Sequence, residues 1–254
     1  MKIEVLFPEV CNLYGDLANI SYLRESLEHS YKLSDGSPIY DVEIIETHLT
    51  DKPLFARENP DLIYMGTMTE SAQKLVIKKL EPYKSQLNKA IADGVNFLVT
   101  GNAVEVFGNA IYEDDKEVIK GLGLLDIEAK RSSIDRYNCL YVGDFFNGDV
   151  EPLKIVGYKS LFGFIYGNDL EYNAIDTVVG YGSNLDTKKE GIRVNNFIAT
   201  QIIGPLLPLN PLLTKWYMND VFEVGFEPAC FDAAMEAYNA RLEEYMTPGK
   251  GWKY

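Results

Sequence analysis

Residues 96–108, Asn-Phe-Leu-Val-Thr-Gly-Asn-Ala-Val-Glu-Val-Phe-Gly, decide the fold of this chain. Residues 97–100 form a short β-rich apolar run, Gly101-Asn102 is a turn signal, and residues 103–107 read as a short helix before a glycine stop. Strand, tight turn and helix in that order read as a nucleophile elbow. That device exposes one side chain on a strained turn beside backbone N–H groups able to hold an oxyanion. The apex here is Gly101, which has nothing to expose. Glycine accepts the positive φ of such a turn, so the turn can stand without a reacting group.

Outward from the elbow, the first 108 residues alternate strand and helix. Strands are expected at 2–7 (KIEVLF), 41–45 (DVEII), 61–65 (DLIYM) and 97–100. Helices are expected at 17–29, with Ile20, Leu23 and Leu27 on one face, and at 69–93, kinked or split at Pro82 and capped by Gly94. This alternation predicts a parallel α/β sheet, whose ligands gather at the carboxyl ends of the strands. Between 121 and 200 the pattern changes to short runs, CLYVGDF, LKIVGY, TVVGYG and NFIAT, separated by Gly, Asn and Asp turns, which reads as added antiparallel β structure. Residues 210–218 and 230–245 read as helices, and MTPGKGWKY as a loose tail. The expected organisation is one domain over 1–208 with a helical extension, 209–254, packed on it.

Composition narrows the function classes. With 254 residues, 46% of them hydrophobic, the chain can bury a real core. Its formal charge of -14 repels phosphate polymers and anionic surfaces, so neither nucleic acid nor membrane insertion is expected. The start runs straight into a strand without a signal-peptide pattern, giving a cytoplasmic expectation. Cys11, Cys139 and Cys230 are far apart and odd in number, which fits neither a disulfide framework nor a zinc site. The run Glu113-Asp114-Asp115-Lys116-Glu117 is mixed in sign and reads as a solvated turn; no metal or other cofactor is expected. Trp216-Tyr217 and Trp252 read either as a partner surface or as packing of the C-terminal region.

Several motifs, in order and spacing, give the chain a family likeness over residues 1–215. They are Asn12-Leu13-Tyr14-Gly15-Asp16, Gly66 after the third strand, the elbow ending Phe107-Gly108, and Gly121-Leu122-Gly123-Leu124-Leu125-Asp126. Val156-Gly157-Tyr158, Gly180-Tyr181-Gly182-Ser183-Asn184 with Lys189-Glu190-Gly191, and Gly204-Pro205-Leu206-Leu207-Pro208 complete the set. The chain resembles the class I glutamine amidotransferase domains of the cobyric acid synthase/GatD type, GatD being the small glutaminase subunit of lipid II isoglutaminyl synthase. The resemblance implies a flavodoxin-like, mostly parallel α/β fold. It also implies a Cys–His pair that frees ammonia from glutamine, and a Mur-ligase-like, ATP-dependent partner of cell-wall precursor modification that receives the ammonia.

The departures from the family pattern fall on the chemistry. A family elbow resembling C-G-G-Y-Q-x-L-G lies on residues 101–108 and puts Gly101 at the thiol. A T-x-x-H-G-P pattern lies on Thr200-Gln201-Ile202-Ile203-Gly204-Pro205 and puts Ile203 at the imidazole. The glycine-rich oxyanion loop becomes Gly66-Thr67-Met68. A G-[FY]-E-x-H-x-G pattern becomes Gly157-Tyr158-Lys159-Ser160-Leu161-Phe162-Gly163, with a cation and an aliphatic for a carboxylate and an imidazole. A thiolate and its base act as a unit, and losing either costs about 10⁶ in kcat. The expectation is a vestigial pocket formed by Asn12, Asp16, Gly66, Thr67, Met68, Gly101, Asn102, Glu105, Lys159 and Leu161, without catalytic residues. Its expected role is to bind or regulate a Mur-ligase-like partner. A small-molecule binding protein using the vacated pocket, and an amidotransferase with altered catalytic residues, stand as alternatives. Asn12 and Asp16 read equally as site residues or as a helix N-terminal turn. Cys11, Thr67 and Thr100 read as packed or lining groups, a nucleophile being the alternative at Cys11. His29 and His48 match neither catalytic position and read as surface or capping residues.

Overall fold

The computed structural model describes residues 1–29, 41–149, 151–223 and 225–249. Strands β1 (Lys2–Leu6), β2 (Glu43–Thr47), β3 (Leu62–Met65) and β4 (Asn96–Thr100) alternate with helices α1 (Ala18–His29), α2 (Glu70–Leu80) and α3 (Lys84–Ala92), and α4 (Val104–Phe107) follows β4. The chain then makes β5 (Ala110–Glu113), β6 (Lys116–Lys120), β7 (Ile127–Arg131), β8 (Tyr137–Phe145), β9 (Leu153–Leu161), β10 (Gly163–Gly167), β11 (Ile175–Val179) and β12 (Lys189–Glu190). It returns through β13 (Ile192–Val194) and β14 (Phe197–Thr200) and ends in α5 (Leu206–Leu209), α6 (Pro211–Trp216) and α7 (Phe231–Met246).

The central sheet has the order β13-β14-β4-β3-β1-β2 and is parallel except for the β13–β14 hairpin. Side chains alternate across it, as the two-residue strand period requires. Ile63, Met65, Phe97 and Val99 enter a core shared with α2, α3 and the second sheet, β10-β7-β5-β6. Ile3, Val5, Tyr64 and Leu98 enter a core on the other face, shared with α1, α5, α6 and the third sheet, β12-β11-β8-β9. A smaller apolar cluster seats α7 through Tyr238 against Val142 of β8 and Val156 of β9.

The split expected at Pro82 is observed, and two other sequence expectations change. The 69–93 helix divides at Glu81-Pro82-Tyr83, because proline has no N–H to donate and its ring crowds the preceding turn. The strand expected at 41–45 forms at Glu43–Thr47. NFIAT was grouped with the added antiparallel strands, yet β14 lies parallel to β4 inside the central sheet. All four of its residues are buried, the mark of a strand covered on both faces. Trp216 and Tyr217 are packed against Phe145 and Phe222, so they are core residues. Residues 250–254, with Trp252 and the end of the expected tail, lie outside the described residues.

Glu4, fully buried in β1, ties the edge of the sheet to the segment after β2. It accepts from Thr47 Oγ1 at 2.6 Å, Leu54 N at 2.5 Å and Phe55 N at 2.9 Å. Burial raises its pKa above the usual carboxylate value, and these three donors oppose the rise. A carboxyl raised in the folded state contributes most below its unfolded pKa, and that contribution disappears as pH climbs through the folded value. Glu4→Gln is therefore expected to flatten the fall of unfolding free energy with pH in the mildly acidic range above 4.5. Urea titrations at stepped pH check this, and parallel curves for the two proteins refute it.

Candidate functional site

At the carboxyl end of β4 the backbone turns sharply. Gly101 has φ of +62°, residues 101–103 make one tight 3₁₀ turn, and α4 follows. Phe107 pins the far end of this elbow between Phe97 of β4 and Phe197 of β14, with ring centroids 6.4 and 5.0 Å away. Such a buried aromatic contributes about 1.5–3 kcal/mol through area alone. Glu105, on the inner side of α4, is ion-paired with Arg131 of β7, and Gln73 of α2 bonds to both. The second sheet thereby clamps the elbow helix from above.

Beneath the turn sits Asp16, 1% exposed. One carboxylate oxygen accepts from Thr67 N (2.7 Å), Thr67 Oγ1 (2.8 Å) and Thr100 Oγ1 (2.6 Å), and the other from Asn19 Nδ2 (2.9 Å). Tyr64 Oη donates to the Asp16 carbonyl, and Asn19 Oδ1 accepts from Leu207 N. Burial raises the pKa of Asp16, and the hydrogen bonds oppose it. Asn102 joins the loop across the turn at two points, accepting from Met68 N at 3.0 Å and donating to Met68 O at 2.8 Å.

Above these bonds lies a cavity of about 100 Å³. Of the residues singled out in the sequence, Thr67, Met68, Gly101, Asn102, Glu105, Leu161 and Ile203 line it. Asp16 stands one hydrogen bond below it, through Thr67. Gly66 packs where a Cβ would lie 2.7 Å from Cys11 O, and so keeps the loop close to β1. Asn12 is exposed and accepts from Leu17 N at 3.0 Å at the entrance to α1. Lys159 does not face the cavity, contrary to expectation. Its ammonium is fully buried and held by Glu190 and by Gly182 O, because a buried cation requires a counter-charge and Glu190 supplies it.

Arg131, Arg136, Ser160 and Gln201 also line the cavity and were not identified from sequence. Both arginines and Ser160 come from the added strands and their loops, whose pairing no local pattern reveals; Gln201, a polar residue between Thr200 and two isoleucines, left a visible signal. Arg136 Nη2 donates to Tyr14 Oη at 2.7 Å, its Nε to Ser160 Oγ at 3.1 Å, and it lies over the Phe162 ring. Among the described residues, no cysteine or histidine lines this cavity. Cys11 is buried 4.0 Å from Met68 Sδ, and burial pushes its thiol well up, away from the thiolate that would react. His48 lies at the surface beside Glu9 and Glu46. Asp114 and Asp115, both at positive φ, form the β5–β6 hairpin turn.

Gln201 is 2% exposed, and among the described residues neither its Oε1 nor its Nε2 has a hydrogen-bond partner. A buried polar group left unsatisfied costs about 1–3 kcal/mol. Gln201→Met, which keeps the shape without the amide, is expected to raise stability by about 1–3 kcal/mol on that basis. Chemical denaturation reads the change, and a loss of stability contradicts it.

No protein-family model matches the chain. It is 28% identical over 232 residues to lipid II isoglutaminyl synthase (glutamine-hydrolyzing) subunit GatD of Staphylococcus aureus (strain N315), covering 89% of this chain and 87% of that one. It is 24% identical over 251 residues to the same subunit of Streptococcus pneumoniae (strain ATCC BAA-255 / R6), covering 94% and 90%. Among solved structures, the glutaminase domain of Trypanosoma brucei CTPS with bound acivicin superposes with a TM-score of 0.53 at 8% identity, covering 91% of this chain and 98% of that one. PurLQS from Thermotoga maritima superposes with a TM-score of 0.51 at 12% identity, covering 95% and 98%. These likenesses and the elbow geometry meet in one conclusion: the chain is a class I glutamine amidotransferase-like α/β domain and a homologue of GatD at 28% identity.

Proposed function

We propose that the chain is a non-catalytic glutamine amidotransferase homologue that binds or regulates a Mur-ligase-like, amide-forming enzyme of cell-wall precursor modification. The observation that carries the reading is a cavity with Gly101 and Ile203 at the positions of thiol and imidazole and, among the described residues, no cysteine or histidine in its walls. Three hydroxyls line it, those of Tyr14, Thr67 and Ser160. Thr67 Oγ1 donates to the buried Asp16 carboxylate, on an oxygen already taken by Thr67 N and Thr100 Oγ1, while Tyr14 Oη and Ser160 Oγ accept from Arg136, which is a cation and no base. The likeness to GatD over most of both chains supports a partner of the ligase class.

The test is ammonia release from glutamine by the purified chain, alone and with a copurifying ligase. No release attributable to this chain is expected, and a ligase of that class should copurify. Ammonia release that Thr67→Ala or Ser160→Ala abolishes would overturn the non-catalytic reading; failure of any such ligase to copurify would remove the partner.

A second reading, a small polar ligand in the same cavity, is supported by Arg136. Among the described residues it has no carboxylate partner, in a chain of net charge -14. Saturable thermal stabilisation by small carboxylates, lost in Arg136→Gln, is the expected sign; absence of any shift removes this reading.

A further inference from the structure

We infer that Thr67 and Asn102 hold the reaction space of the elbow shut, so that returning a thiol to position 101 and an imidazole to position 203 does not by itself restore glutamine hydrolysis. The inference rests on the non-catalytic reading above and names the side chains that maintain it.

The first closure is steric. A Cβ placed on Gly101 overlaps Thr67 Oγ1 and lies 2.9 Å from both the Cβ and the Cγ2 of Thr67, closer than real Cβ atoms approach. Thr67 cannot yield by rotation. It is β-branched and stiff at χ1, and its hydroxyl and its backbone N–H both end on the same oxygen of buried Asp16. The elbow accommodates glycine and excludes every side chain while Thr67 is in place.

The second closure is electrostatic. Acyl chemistry at an elbow needs backbone donors free to meet an oxyanion, typically the N–H after the apex and one from the facing loop. Here the facing loop has none to offer at Thr67 or Met68. Thr67 N is bonded to Asp16, and Met68 N to Asn102 Oδ1, with Asn102 Nδ2 returning a bond to Met68 O. Asn102, the residue after the apex, thus uses its side chain to occupy a donor that a developing negative charge would require.

The test is a double-mutant cycle on the full chain, combining G101C with T67G and reading unfolding equilibria, with ammonia release measured on G101C/I203H. G101C is expected to raise the unfolding constant at least tenfold more beside Thr67 than beside a glycine at 67, and G101C/I203H is expected to release no more ammonia than wild type. If G101C does not fold, G101A presents the same Cβ and supplies the same cycle; folding recovered only with T67G supports the inference. Equal effects of the Cβ in both backgrounds overturn it, as does ammonia release by G101C/I203H well above wild type. Glutaminase activity of the unaltered chain would instead remove the non-catalytic reading and leave the cycle to be read on its own.

Discussion

Glu190→Ala is expected to cost about 3–5 kcal/mol of stability, because it leaves a buried ammonium without its counter-charge. Lys159 and Glu190 are both fully buried and paired. The remaining contacts of Lys159, Gly182 O at 2.9 Å and the Tyr141 ring at 5.3 Å, do not neutralise it. Glu190 also accepts from Thr200 Oγ1 at 2.8 Å and Gln201 N at 2.9 Å, so the same substitution frees two donors in the strand end that carries Ile203. The comparison that isolates the charge is Lys159→Met with Glu190→Leu, which removes both ions and keeps the volume. Buried pairs replaced in this way often lose little or gain about 1–4 kcal/mol. Urea denaturation of the single and double variants distinguishes the two effects. A single variant within about 1 kcal/mol of wild type, the range of an exposed pair, would show that Lys159 finds solvent.

Asp16→Ala is the second large expected loss, about 3 kcal/mol or more, since buried donors left without an acceptor cost about 1–3 kcal/mol each and relaxation recovers only part. Four donor groups on Thr67, Thr100 and Asn19 converge on this carboxylate. Asp16→Asn is expected to recover only part of the loss. An amide offers one accepting oxygen, and its NH₂ must face either the three donors on one side or the Asn19 amide on the other. Denaturation midpoints in the order wild type, Asn, Ala are the expected result; an alanine variant as stable as wild type would mean that water satisfies the network.

The elbow was legible in the sequence because its signals are local: a β-rich run, a glycine where φ turns positive, and a short apolar helix. The split at Pro82 was legible for the same reason, since one ring both removes a donor and crowds the turn. Placement of NFIAT was not, because its parallel pairing with β4 depends on a partner about a hundred residues away, which no local periodicity encodes. The sequence pattern around Gly157 pointed to Lys159 as a cavity residue. Its true surroundings follow from Glu190, which reaches it across the third sheet. Asp16 stood out by its motif, yet its role as a shared acceptor depends on Thr67 and Thr100, brought in by β3 and β4. Residues whose chemistry is fixed by their neighbours along the chain could be read, and those fixed by neighbours across sheets could not.

The hydrogen bonds beneath the elbow also set how this end of the molecule opens. Amide hydrogens in two separate segments, Thr67 and Met68 after β3 and Leu207 after β14, are held by the side chains of Asp16, Asn102 and Asn19 instead of by a strand ladder. Asp16 and Asn19 are themselves bonded together, so releasing one segment weakens the hold on the other. Exchange of these amides with solvent deuterium is accordingly expected to proceed through one shared opening, as it does within a strand or helix, making this loop-built region a single cooperative unit.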